Sequence, residues 1–207
     1  MAHSRVLITG GADGLGRELA LAYVRRGAEV TIMDIAADLG EALASEHGVT
    51  FLPLDLANFD PETLELGTEP FDVVILNAGI SAFGNFGEIP WEKQQAVIDI
   101  NFTGHLRLLH RLFGDGLLVD EGRLAFTLSA AAFTPIPVTA TYSATKNALE
   151  GFGLAIEPWL MHRKISISHI YPGQMRTSHL KKYYDNDDTE AGVPPDLIAA
   201  RIVKALD

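Results

Sequence analysis

Arg5-Val6-Leu7-Ile8-Thr9-Gly10-Gly11-Ala12-Asp13-Gly14-Leu15-Gly16 is the stretch on which the fold of this chain turns. Arg5 to Thr9 is a short apolar run of the kind that forms a buried strand. Glycines follow, and 15–26 then reads as a helix with Leu15, Leu19, Ala22 and Tyr23 along one side. A strand that runs through glycines into a helix N-terminus presents backbone N–H groups to a pyrophosphate, as in a βαβ unit. The spacing is Gly-x3-Gly-x-Gly, and no Gly-Lys-Ser/Thr follows, which argues against a triphosphate P-loop.

Outward from this unit, apolar runs alternate with amphipathic stretches. Strands are predicted at 5–9, 28–33, 49–54, 71–76, 123–128 and 165–170, and helices near 15–26, 37–46, 91–113, 141–163 and 195–206. That alternation predicts an α/β fold, a Rossmann-like doubly wound parallel sheet in the order 3-2-1-4-5-6 with helices on both faces. No repeat, linker or low-complexity tract interrupts it, so residues 1–207 read as one domain. The stretch 58–70 is short and has room for a single helical turn. Pro158 falls inside the 141–163 helix, where it removes a hydrogen bond and is expected to kink the last turns.

Composition narrows the function classes. With 47% hydrophobic and 21% charged residues, the chain is ordinary for a globular protein. A net charge of -11 argues against nucleic acid or an anionic membrane as partner. Part of that acidity is the run 185–190, read as a solvated loop. The absence of cysteine excludes disulfides and fits a cytoplasmic protein. The first strand leaves no room for a signal peptide, and no apolar run approaches the roughly 18 residues of a membrane span. His105 and His110 stand five apart and the remaining histidines are scattered, so no metal site is expected; these side chains read as surface or core polar groups.

The chemistry is carried by Tyr142-Ser143-Ala144-Thr145-Lys146, with Ser129 thirteen residues before the tyrosine. A phenol and an ammonium four positions apart on a helix share one face. The lysine's charge would favour the phenolate and let Tyr142 exchange a proton near neutral pH, against a free-phenol pKa of about 10.

Taken in order, these residues resemble the short-chain dehydrogenase/reductase family over nearly the whole chain. Thr9-Gly10-x3-Gly14-x-Gly16 is similar to its cofactor motif, and Asn77-Ala78-Gly79 to the segment that closes its fourth strand, although Leu76 stands where many members carry Asn. Asn101, Ser129, Tyr142 and Lys146 match its catalytic tetrad, and Pro172-Gly173-x3-Thr177 its motif after the sixth strand. The resemblance implies an NAD(P)-dependent oxidoreductase acting on a CH–OH group, with Tyr142 as general acid/base. Ser129 would hold the substrate oxygen. Lys146 would lower the Tyr142 pKa and bond the nicotinamide ribose. Asn101 would kink the long helix and hold a water relaying protons from Lys146. The implied cofactor set is Gly10, Asp13, Gly14, Leu15, Gly16, Asp34, Asp55, Leu56, Asn77, Ala78, Gly79, Tyr142, Lys146, Pro172, Gly173 and Thr177, with Asp55 and Leu56 at the adenine edge and Thr177 on the carboxamide. Relatives usually continue into a seventh strand, for which this sequence has no candidate.

Charge argues for the choice of cofactor. Asp34 lies eighteen residues beyond Gly16, where a carboxylate accepts hydrogen bonds from both ribose hydroxyls and repels a 2′-phosphate. Asp13 adds a second negative group, and Arg17 is the counter-argument. NAD is expected over NADP. Ile80, Phe83 and Phe86, together with 131–137, form an apolar surround, and 174–193 is expected to be a mobile substrate loop. A secondary alcohol or ketone of moderate size fits such a pocket. Apolar residues on more than one side of 91–113 and 141–163 predict a homodimer, since the family pairs these helices. A dinucleotide-binding regulator with little turnover, and an epimerase or dehydratase on the same scaffold, are the alternatives.

Overall fold

Val6, Leu7 and Ile8 are all fully buried although successive side chains of a strand point to opposite faces, so this strand must be covered on both sides. The computed structural model, which describes residues 4–173, 175 and 192–207, puts it at the centre of a parallel sheet. The strands are β1 (Arg5–Thr9), β2 (Glu29–Asp34), β3 (Thr50–Pro53), β4 (Phe71–Leu76), β5 (Leu118–Thr127) and β6 (Ser166–Ile170). Their order is β3-β2-β1-β4-β5-β6, a sheet of six strands among the described residues.

Alternation along the strands builds two cores. Leu7, Val74, Leu76, Leu124 and Phe126 turn toward α4 (Gly104–Gly114) and α5 (Ala140–Met161), where they meet Leu108, Leu112, Leu149 and Leu160. Val6, Ile8, Val73, Ile75 and Ala125 turn the other way, onto α1 (Gly14–Val24) and α6 (Pro195–Leu206). Each such aliphatic side chain contributes about 1.5–3 kcal/mol on burial, so neither helical layer can be removed without exposing a continuous apolar face. α2 (Ala37–His47) closes the β2–β3 connection through Leu43.

Two local features differ from the sequence expectation. β5 starts at Leu118 rather than 123: Leu118 pairs with Phe71 and Arg123 with Val73, so the residues between them bulge out of register. Glu121 in that bulge takes a positive φ of 64°, a conformation that periodicity does not reveal. The expected helix 91–113 is in fact α3 (Trp91–Ile98), a π-helical segment (Asp99–Thr103) and then α4. Gly104 N–H donates to the Asp99 carbonyl, five residues back, which widens that turn. As expected, the stretch 58–70 holds a single turn, the 3-10 helix Pro61–Thr63. α5 continues through Pro158 to Met161.

The strand order reverses between β1 and β4, which opens a crevice at the carboxyl ends of the strands. Thr177 and most of the 174–193 loop lie outside the described residues; Met175 pairs with Val193 where the chain re-enters. No described helix is long and apolar enough to cross a membrane.

Candidate active site

The crevice has a backbone-built side. Asp13 caps α1 by accepting the Gly14 N–H at 2.7 Å, and the first-turn amides beyond it have no partner within the helix. Gly16 tolerates no side chain: a β-carbon there would lie 1.9 Å from the Gly10 carbonyl oxygen. Thr9 Oγ1 accepts the N–H groups of Asn77 at 2.9 Å and Ala78 at 3.0 Å. In return, Asn77 Nδ2 donates to the Thr9 carbonyl at 3.1 Å and the Gly10 carbonyl at 3.2 Å. The ends of β1 and β4 are thereby tied together around the glycine loop, and Leu15 is buried beneath it.

Asp34 ends β2 with both carboxylate oxygens engaged, accepting from Ala12 N and Ala36 N at 3.0 Å each. Each oxygen retains a second acceptor site that faces no other described donor. Asp55, just past β3, accepts from Ala57 N and Asn58 Nδ2, both at 2.9 Å. The Leu56 side chain is a core residue.

The second side carries the titratable groups. Ser129 follows β5, and its Oγ accepts the Ala131 N–H at 3.2 Å, leaving its own proton free for another acceptor. Tyr142 and Lys146 are one turn apart on α5, with Nζ 5.8 Å from the phenol ring centroid. Lys146 Nζ is buried and donates to the Thr127 carbonyl at 2.7 Å. Asn101 lies in the π-helical segment, fully buried rather than facing solvent. Its Oδ1 accepts from Ile80 N at 2.8 Å, and its Nδ2 donates to the Ile80 carbonyl at 2.9 Å and Thr145 Oγ1 at 3.2 Å. Gly79 joins the two sides: a β-carbon on it would lie 3.3 Å from both Asn101 Oδ1 and Lys146 Nζ.

Burial changes the expected acid–base behaviour. It raises the Tyr142 phenol above its ordinary 10.0, and hydrogen bonding from Ser129 only partly opposes that. The same desolvation pulls the Lys146 ammonium down to about 8. In the unliganded chain the Tyr142 phenol therefore lies above its ordinary value rather than below it. Burial is the larger cause, because taking the charged phenolate out of water costs more than the Ser129 hydrogen bond returns.

Above these groups the walls are apolar and open. Phe86, Phe133, Ile136 and Val138 are exposed. The two wall loops touch where Gly84 N–H donates to the Val138 carbonyl at 3.0 Å. Gln94 is buried under the first loop, donating from Nε2 to the Phe86 and Ile89 carbonyls at 3.1 Å each and accepting from Thr141 Oγ1 at 2.7 Å. Phe133 rests on Tyr171, ring centroids 5.1 Å apart, just before Pro172 and Gly173. Sequence reasoning missed Gln94, Thr9 as a hydroxyl anchor, and Thr145. The available signal was a polar residue at an inward helical position with no apolar reason to be there.

These features fit a nicotinamide dinucleotide. The glycine loop offers amides and a surface that a Cβ would fill. Thr127, whose carbonyl holds Lys146, also keeps a buried hydroxyl without a hydrogen-bond partner among the described residues.

Comparison with known proteins agrees with this geometry. The sequence profile of the family described as short chain dehydrogenase matches residues 4–188. An uncharacterized oxidoreductase of Myxococcus xanthus is 31% identical over 187 residues, which span 86% of this chain and 74% of that protein. D-erythrulose reductase of Gallus gallus is 28% identical over 179 residues, 84% of this chain and 72% of the relative. Among solved structures, a short chain dehydrogenase from Shigella flexneri 2a strain 301, complexed with NADP, superposes with a TM-score of 0.84 at 25% identity, covering 95% of this chain and 89% of that one.

Proposed function

Because the chain belongs to the short chain dehydrogenase family, a family of NAD(P)-dependent oxidoreductases, we propose that it interconverts a secondary alcohol and a ketone of moderate size with Tyr142 as the proton-transferring group. The observation that carries this reading is that Asn101 and Lys146 meet at Gly79, with Tyr142 one turn from Lys146 and hydrogen-bonded to Ser129. Gly10, Gly14, Leu15 and Gly16 would hold the pyrophosphate, Asp13 would cap their helix, and Asp34 would hold the adenosine ribose. Asp55 and Leu56 would border the adenine, Asn77 to Gly79 would floor the crevice, and Pro172, Gly173 and Thr177 would flank the carboxamide. Bound there, the dinucleotide supplies a hydride to a carbonyl carbon or accepts one from a carbinol carbon.

In reduction, Tyr142 gives its proton to the carbonyl oxygen as negative charge develops on it. Ser129, which accepts from Ala131 N–H with one lone pair and keeps its own proton, donates to the same oxygen. In oxidation, Tyr142 takes the hydroxyl proton, which requires the phenolate. Lys146 keeps two of its three N–H donors beyond the Thr127 carbonyl for the nicotinamide ribose. Its charge lies 5.8 Å from the Tyr142 ring centroid.

NAD is the proposed partner, on the carboxylate of Asp34. The NADP carried by the Shigella flexneri relative is the observation on the other side. A panel of alcohols and ketones run with both cofactors tests the reading, with Asp34→Ala alongside. Turnover with NAD favoured in the wild type, and a swing of about tenfold toward NADP in the variant, is the expected result. A wild-type preference for NADP would refute the charge argument. Release of product with no net change in cofactor redox state would favour an epimerase or dehydratase.

Assembly as a homodimer through the α3–α4 pair and α5 is part of the proposal. Leu154, Trp159 and Met161 stand exposed on α5, and Trp159 packs edge-on against Phe113 at 5.0 Å. Sedimentation as a monomer at micromolar concentration would count against it. One domain spanning 1–207 and a cytoplasmic location complete the reading; the second rests on the cysteine-free composition and is tested by cell fractionation.

A further inference from the structure

His105 is wholly buried on α4, and the chemistry above gives it no task. Its ring nitrogens reach the two halves of the site: Nε2 lies 3.1 Å from Thr9 Oγ1, and Nδ1 lies 3.2 Å from the Asn101 carbonyl. The direction of each bond follows from counting protons. A hydroxyl has one proton and two acceptor sites. Thr9 uses both acceptor sites on the N–H groups of Asn77 and Ala78. Its proton therefore goes to Nε2, which must be bare, and Nδ1 carries the imidazole proton to the Asn101 carbonyl. Burial, reinforced by the neighbouring Lys146 charge, holds the imidazole down to about 3, so it stays neutral and keeps this tautomer.

The two groups that His105 joins hold the same short segment from its two ends. Thr9 fixes Asn77 and Ala78, while Asn101 fixes Ile80. Gly79, between them, is where Asn101 and Lys146 come together. On the dehydrogenase reading given above, we propose that His105 is a positioning residue for the reaction: through Thr9 and Asn101 it clamps the segment from Asn77 to Ile80, and so sets the dinucleotide cradle against Lys146 and Tyr142.

Three variants take the clamp apart. His105→Leu removes both bonds, His105→Gln presents an amide oxygen near the Nε2 position for Thr9, and His105→Asn presents an amide N–H near the Nδ1 position for Asn101. NAD affinity by calorimetry, kcat and KM on the best panel substrate, and melting temperature are measured for each. His105→Leu is expected to weaken NAD binding and lower kcat by about tenfold each, the size of one buried hydrogen bond. His105→Gln should recover NAD affinity without kcat, and His105→Asn should recover kcat without affinity. Two results would overturn the proposal: a folded Leu variant within twofold of wild type on both measures, or Gln and Asn variants that lose affinity and kcat in equal proportion. Should the Leu variant fail to fold, the Gln–Asn split still decides. A wild type that binds NAD but turns over nothing would refute the dehydrogenase reading. The affinity contrast between the Gln and Asn variants would test the clamp even then.

Discussion

The two sides of the crevice are built by different means. On the dinucleotide side the contacts are backbone amides, carbonyls and short polar side chains: Thr9, Asn77, Asp34 and Gly16 leave almost no freedom at the ends of β1, β2 and β4. On the side proposed for the substrate, Phe86, Phe133, Ile136 and Val138 stand exposed on loops held by a few bonds, chiefly those of Gln94 and the Gly84–Val138 link. A ligand shared by many enzymes can be met by a rigid backbone surface. One that differs between them is met by side chains on adjustable loops. Changes on the first side should therefore affect every substrate alike, and changes on the second should reorder substrates.

The largest effect is expected at the group proposed to move the proton. Tyr142→Phe should lower turnover by about 10³-fold, within the range of a lost general acid, while NAD affinity measured by calorimetry stays within about threefold of wild type. Equal loss of binding would mean that the phenol builds the cradle rather than moving the proton. Gly16→Ala comes next. Its added carbon collides with the Gly10 carbonyl, so dinucleotide affinity should fall about 100-fold with the ranking of substrates unchanged.

Lys146 sharpens the comparison through pH. Burial takes its ammonium from 10.5 to about 8, so between those values the unfolded chain holds a proton that the folded chain has released. Stability of the unliganded protein should then rise with pH across that window, by on the order of 3 kcal/mol in all. Below pH 8 both states are protonated and this group contributes no slope. Above about pH 10 buried Tyr23, pushed up to about 12, reverses the trend, because the unfolded phenol ionises first. Urea titrations from pH 7.5 to 9.5 check this, and Lys146→Met should flatten the rise. The smallest effect belongs to the substrate wall. Gln94→Leu frees the Phe86 and Ile89 carbonyls and should raise substrate KM a few-fold, by about 1 kcal/mol, with NAD affinity untouched.

The same contrast explains what the sequence revealed. The strand–glycine–helix unit is written in residue types that have few other uses, so β1 and the sheet order are readable in the sequence. β4 and α6 also fall where periodicity put them, at Phe71–Leu76 and Pro195–Leu206. What escaped depends on burial and long-range partners. The break at Asp99–Thr103 needs a hydrogen bond from Gly104 to Asp99, and the early start of β5 needs Phe71 beside Leu118. His105 looked like one more polar residue, because its partner Thr9 lies 96 positions away. The spacing of Tyr142 and Lys146 put them on one face as expected. Spacing carries no information about desolvation, and desolvation sets the phenol's direction. The substrate is the least legible part, since exposed apolar side chains define a size and polarity rather than a molecule.

The most direct test of the central claim follows the hydride itself. Ketones from the panel are reduced with NADH carrying deuterium at one or the other face of C4, and the product alcohol is weighed by mass spectrometry. The account predicts one deuterium on the carbinol carbon with one of the two labelled cofactors, and an unlabelled hydroxyl proton drawn from solvent through Tyr142. Alcohol formed without deuterium from either cofactor, or tight NADH binding with no alcohol formed, would contradict it.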